Sequence, residues 1–173
     1  KYLVFAEKLM RLPGFERFSA AAYGLALETE LGHCLFFPLR EARCAALRQK
    51  AIAPLECEPA HWLDGVLGQF LNGERPHLML GQMAGSVREA LLLPREVRAT
   101  FAEVRQFVQR TFPKPAALLE LSPVRARAQA QGLNAVVTAR NDAMHLRRDD
   151  AVDLAPIRAS REALIGADGF LKI

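Results

Sequence analysis

Cysteine is scarce in this chain. Cys34, Cys44 and Cys57 are odd in number and share no paired CxxC spacing. That excludes a disulfide-stapled secreted scaffold and points to reduced thiols in a cytoplasmic protein. No apolar run reaches the roughly 18 to 20 residues needed to cross a bilayer, so no membrane span is expected. Lys1 to Phe5 carry one charge and a short apolar patch without a small-residue cleavage site, which is not a signal peptide. Position 1 is not Met. The expectation is therefore a piece of a longer polypeptide, with room upstream for a sensor or targeting element.

Other absences narrow the chemistry. No useful length alternates with period two, and there is no low-complexity tract or solenoid-type repeat, so neither a sheet nor a repeat array is indicated. There is no phosphate-cradling glycine loop, no GxSxG and no HExxH, which leaves hydrolases of those classes without support. His33-Cys34 and Cys57 with His61 match no structural zinc spacing, so no metal or cofactor is expected. Trp62 beside His61, with Phe70, offers either a base-stacking surface or an anchor for a short helix.

What is present is the composition of a soluble globular domain: 173 residues, 51% hydrophobic and 24% charged. The formal net charge of +4 is compatible with a polyanionic partner but decides little by itself. Tyr2 to Leu12 is helix-forming and ends at the breaker pair Pro13-Gly14. Ser19 is placed to cap a long second helix with a stripe of Ala20, Tyr23, Leu27, Leu31 and Leu35, and Pro38 kinks or ends it. Leu39 to Ala51 resumes the pattern, His61 to Leu71 is a short helix, and Leu80 opens another that stops before Pro94. Between Arg95 and Phe112, Phe101, Val104 and Val108 recur at helical spacing. Ser122-Pro123 caps and starts the next helix, Asp153 caps a last one, and Gly166 ends it. The fold expected is all-α: a bundle of four to five main helices with short accessory helices. Residues 1–18 form an arm or short helix, 19–166 the bundle and 167–173 a tail.

The helix after Ser122 carries the chain's most unusual stretch, Arg140-Asn141-Asp142-Ala143-Met144-His145. Leu133, Val136, Val137, Ala143 and Met144 recur on one face, and Arg140 falls within that stripe. A guanidinium there requires a carboxylate, a phosphate or a polar interface. With Asn141 and His145 the stretch combines a fixed cation, an amide and an imidazole that exchanges protons near neutral pH. Such groups suffice to cleave RNA, whose 2′-hydroxyl is an internal nucleophile, without a metal. The structural alternative is an ion pair of Arg140 with Glu28 or Glu30 and an ordinary surface histidine. Arg125, Arg127, Arg147 and Arg148 form either an RNA-holding rim or a solvated face.

Arg-Asn-x-x-x-His late in an all-α chain of this size resembles the signature of the HEPN superfamily (higher eukaryotes and prokaryotes nucleotide-binding). Arg140, Asn141 and His145 fit it with four intervening residues after the arginine, over a region from about Ser19 to Gly166. The resemblance implies a homodimeric helical bundle in which two such stretches face each other. It also implies a metal-independent endoribonuclease of a toxin, antiviral-defence or RNA-processing system, with a regulatory or antitoxin partner. By the same resemblance His145 transfers protons, Arg140 stabilises the phosphorane, Asn141 positions the ring or phosphate, and Glu28 or Glu30 accompanies them. One large toxin-antitoxin branch has Tyr two residues after the His; here that position is Arg147, which argues against that branch. Other members of the superfamily have lost activity and serve as nucleotide-binding, dimerisation or partner-binding modules. On one helix Arg140 and His145 stand about 140° apart, so a single chain presents them poorly to one phosphate. Two facing copies would solve this.

Overall fold

The computed structural model describes residues 1–58, 60–92, 98–112, 117–145 and 154–166. Among these residues the chain is all-α, with no strand. The helices are α1 (Tyr2–Leu9), α2 (Glu16–Glu30), α3 (Phe37–Arg48), α4 (Trp62–Leu71), α5 (Leu80–Val87), α6 (Ala99–Thr111), α7 (Pro123–His145) and α8 (Leu154–Ile165). The expected cap at Asp153, the breaks at Pro94 and at Pro113 to Pro115, and the tail 167–173 lie outside the described residues.

Local chemistry sets several of the helix boundaries. At α7 the Arg125 N–H donates to Ser122 Oγ at 3.4 Å, and Pro123 occupies a first-turn position that needs no N–H partner. His61 caps α4, its Nδ1 accepting from the Asp64 N–H at 3.2 Å. Ser19 does not cap α2, which starts three residues earlier at Glu16. Its hydroxyl is buried and donates instead to the Ala6 carbonyl at 2.9 Å, tying α2 to α1. Pro38 neither ends nor breaks the path. A wider π-type turn over Leu31–Phe36, closed by the Phe37 N–H bonding back to Gly32, places the proline in the first turn of α3.

The chain divides into two compact units, Lys1–Thr29 with Arg127–Ile173, and Glu30–Ala126. The first is held by links that run from helix to helix. Tyr23 of α2 is fully buried, and its hydroxyl donates to Glu7 of α1. Arg161 of α8 donates to the same carboxylate at 2.8 and 3.2 Å. Ser160 of α8 donates to the Ala135 carbonyl of α7 at 3.3 Å. Gly132 does not interrupt α7; a Cβ there would meet the Ala163 Cβ of α8 at 2.7 Å, so its lack of a side chain is what lets the two helices approach. Apolar side chains fill this unit, among them Ala6, Leu9, Leu27, Leu133, Val136, Ile157 and Leu164. Each fully buried Leu or Val contributes about 1.5–3 kcal/mol relative to exposure.

The second unit has its own core of Phe36, Leu67, Phe70, Leu71, Val87, Leu91, Phe101, Val104 and Val108. The last three are the recurring stripe of α6. Its buried polar groups find local partners, apart from the Arg43 Nε, which is buried without one. Asp64 accepts from the Glu58 N–H at 2.6 Å and from the Thr100 hydroxyl, and Arg43 pairs with Glu103 at 2.8 Å while donating to the Ala53 carbonyl at 3.0 Å. Asn72 brackets Leu55, accepting from its N–H and donating to its carbonyl.

Candidate functional site

The Arg140 to His145 stretch forms the last turns of α7, the longest helix described. A buried stripe, Ala130, Leu133, Val136 and Ala139, leads up to it. Gly132 and Ala135 in that segment are two points where α8 touches α7. The motif thus projects from a helix whose preceding turns are fixed by packing.

Arg140 stands one heptad beyond the buried Leu133, on the same face, yet it is only half-buried. The stripe opens at its end, and a long side chain there keeps its stem on apolar surface while the head reaches outward. Its Nη1 donates to Asn141 Oδ1 at 3.1 Å. A neutral amide oxygen orients the guanidinium without cancelling its charge, and among the described residues no carboxylate forms an ion pair with it. Asn141 and His145 are exposed, as is Met144. α7 is unbroken from Pro123 to His145, so the angular separation of Arg140 and His145 holds, with about 7.5 Å of rise between them.

The two carboxylates expected nearby are placed differently from each other. Glu28 is half-buried near the end of α2, and among the described residues no ion pair joins it to Arg140. Glu30 is exposed, falls in the other unit and accepts from the Cys34 thiol at 3.5 Å. Of the basic residues, Arg127 is exposed about 20 Å from Arg140 along α7, too far for both to hold one phosphate but within the span of a few nucleotides. Arg125 is exposed in the first turn of the helix. Arg147 and Arg148 lie outside the described residues.

The remaining candidates resolve into packing roles or none. Among the described residues no three His, Cys, Asp or Glu side chains converge as metal ligands. The three cysteines are unpaired, and burial, followed by nearby carboxylates, pushes the Cys34 and Cys57 thiols above their ordinary range, which disfavours a reactive thiolate. Phe70 is fully buried and stacks no base. Trp62 is no anchor, because the residue is 66% exposed and His61, not the indole, packs edge-on against Phe101 at 5.8 Å.

One feature escaped the sequence reading. Tyr2, Phe5, Phe15 and Phe18 stand partly exposed around a groove between α1 and α2. The available signal was Phe18 and Leu25, seven residues apart on the side of α2 away from Tyr23 and Leu27.

No protein-family model, curated protein or solved structure matches the chain. No described helix is long and apolar enough to cross a membrane.

Proposed function

We propose that the chain is a HEPN-like domain that acts in the cytoplasm as a metal-independent endoribonuclease of a defence or toxin-like system, with a composite site built by two copies. The observation that carries this reading is the display of Arg140, Asn141 and His145 at the end of α7. The cation is aimed by a neutral amide and the imidazole is open to solvent. Arg140 holds the scissile phosphate and the charge that grows on it. His145 removes the 2′-hydroxyl proton or protonates the departing 5′-oxygen. The bond that forms is 2′-O to phosphorus and the bond that breaks is phosphorus to 5′-O, leaving a 2′,3′-cyclic phosphate and a free 5′-hydroxyl. Because the two side chains diverge on one helix, Arg140 of one copy works with His145 of the other. Exposed Arg127 supplies a further phosphate contact.

A catalytically silent module that binds RNA or a nucleotide is the second reading. It is favoured by the absence of an ion pair between Glu28 and Arg140, which leaves the carboxylate of the resemblance unassigned. Incubation with single-stranded RNA in excess EDTA separates the two. The enzyme yields cyclic-phosphate ends that disappear with His145→Ala. The silent module binds without turnover, and Arg140→Ala weakens the binding. Cleavage that persists in His145→Ala eliminates the mechanism.

A further inference from the structure

Helix α2 is apolar on two sides. Ala20, Tyr23 and Leu27 are buried in the first unit's core. On the far side Phe18 is 56% exposed and Leu25 42% exposed. A helix that is apolar nearly all round normally has something on every side. Scattered exposed apolar residues are ordinary, but these are contiguous. Tyr2, Phe5 and Leu9 of α1 and Phe15, Phe18 and Leu25 of the following segment line one groove of about 360 Å³, nearly all of it carbon. The Phe15 and Phe18 rings lie 5.8 Å apart and tilted by 42°. Four aromatic side chains of about 200 Å² each, roughly half exposed, present about 400 Å². That is within the range of the largest patches on monomers, which are often functional.

The α1 edge of the rim has one sign of charge, and the acidic Glu28 stands on the α2 edge, about 60° round the helix from Leu25. On α1 the apolar face recurs at Tyr2, Phe5 and Leu9, and Lys1 and Lys8 stand on its solvent edge, about 70–100° round the helix. Both are exposed, and so is Arg11 beyond them. The acidic residue of α1, Glu7, is on the opposite flank and is taken up by Tyr23 and Arg161. Glu16 turns about 160° away from Phe18 on α2. A concave apolar floor with lysines along one edge is complementary to an amphipathic helix with carboxylates beside its apolar stripe. A second copy suits it less, because a two-fold pairing sets the same lysines against each other. A bilayer is flat and meets only the rims of a groove set between two helices.

We propose that the α1–α2 groove is the docking site for an amphipathic helix of a partner protein. That helix places large apolar side chains at i, i+3 or i+4, and i+7, with acidic residues facing Lys1 and Lys8. The proposal is independent of the nuclease reading.

The test uses the whole chain and a labelled synthetic helix of about 18 residues, five turns, with leucines on the stripe and glutamates on its flanks. Fluorescence anisotropy should show saturable binding, at least tenfold tighter than for the same peptide with lysine flanks. Phe18→Ser should weaken it at least tenfold. Lys1→Glu with Lys8→Glu, both exposed and remote from the core, should reverse the preference between the two peptides. Absence of saturable binding, or indifference to both sets of substitutions, overturns the proposal. It is equally overturned if Phe18→Ser instead dissolves a dimer seen by sedimentation, or if phosphatidylserine vesicles bind in a Phe18-dependent way while the peptide does not.

Discussion

Gly132 gives the sharpest check on how the motif-bearing helix is held. In an exposed helix interior, replacing Gly by Ala stabilises by about 1 kcal/mol through propensity. Here the added Cβ would stand 2.7 Å from the Ala163 Cβ and 3.5 Å from its Cα, where carbon atoms prefer about 3.5–4 Å. α8 must therefore move by about 1 Å or its contacts must distort, at the 1–3 kcal/mol typical of overpacking. Gly132→Ala should thus be destabilising by about 1 kcal/mol net, a fall of about 2–4 °C in Tm for a chain of this length. Ala163→Gly alone should cost about 1 kcal/mol in helix propensity. The double variant removes the clash and exchanges one propensity for the other, so it should return to within about 0.5 kcal/mol of the parent, a coupling energy near 2 kcal/mol. Urea unfolding followed by circular dichroism measures all three. Should Gly132→Ala alone stabilise by its full propensity, or the two changes simply add, α7 and α8 are not in the contact described.

Two further predictions concern the Glu7 cluster. Burial, then the hydrogen bond to Glu7, raises the Tyr23 phenol well above the ordinary tyrosine range. In a Tyr2→Phe variant, where Tyr23 is the remaining tyrosine of two, ultraviolet titration should show no phenolate near pH 10 until the protein unfolds. The neutral form is favoured on folding, so this contribution is complete below the unfolded value near 10 and declines as pH rises through the folded one. Burial tends to raise the Glu7 carboxyl, but hydrogen bonds from Arg161 and Tyr23 together hold it below its usual range. Its contribution is therefore present above about pH 4.3 and lost as pH falls through the folded value. Glu7→Gln should cost about 1–2 kcal/mol at pH 7, since the Arg161 contact is partly exposed, and the gap from the parent should shrink in acid. A gap that stays constant between pH 7 and pH 3 would refute the ionic contribution.

The all-α class and most helix positions were legible in the chain, because the signals are local. Phe101, Val104 and Val108 are buried as their spacing requires, and Ser122-Pro123 starts α7. Ser19 misled for an equally physical reason. A serine is a good cap only if its hydroxyl stays local, and this one bonds across to Ala6, a partner thirteen residues away. The spacing of Arg140, Asn141 and His145 was visible, but their exposure was not. Periodicity alone identifies the face of α7 without saying where α8 stops covering it. The aromatic groove was hidden for the same cause: an apolar residue at helical spacing looks identical whether its face is covered or bare. Phe18 and Leu25 became distinguishable from Tyr23 and Leu27 only through tertiary structure.

Mixing inactive variants tests directly whether Arg140 of one copy acts with His145 of another. Arg140→Ala and His145→Ala chains, each silent on single-stranded RNA in EDTA, are combined in equal amounts and allowed to exchange. Half of the resulting dimers then contain one site with both an intact arginine and an intact histidine. The composite site predicts recovery of about one quarter of parental cleavage, with cyclic-phosphate ends. A mixture that remains silent while the parent cleaves contradicts it.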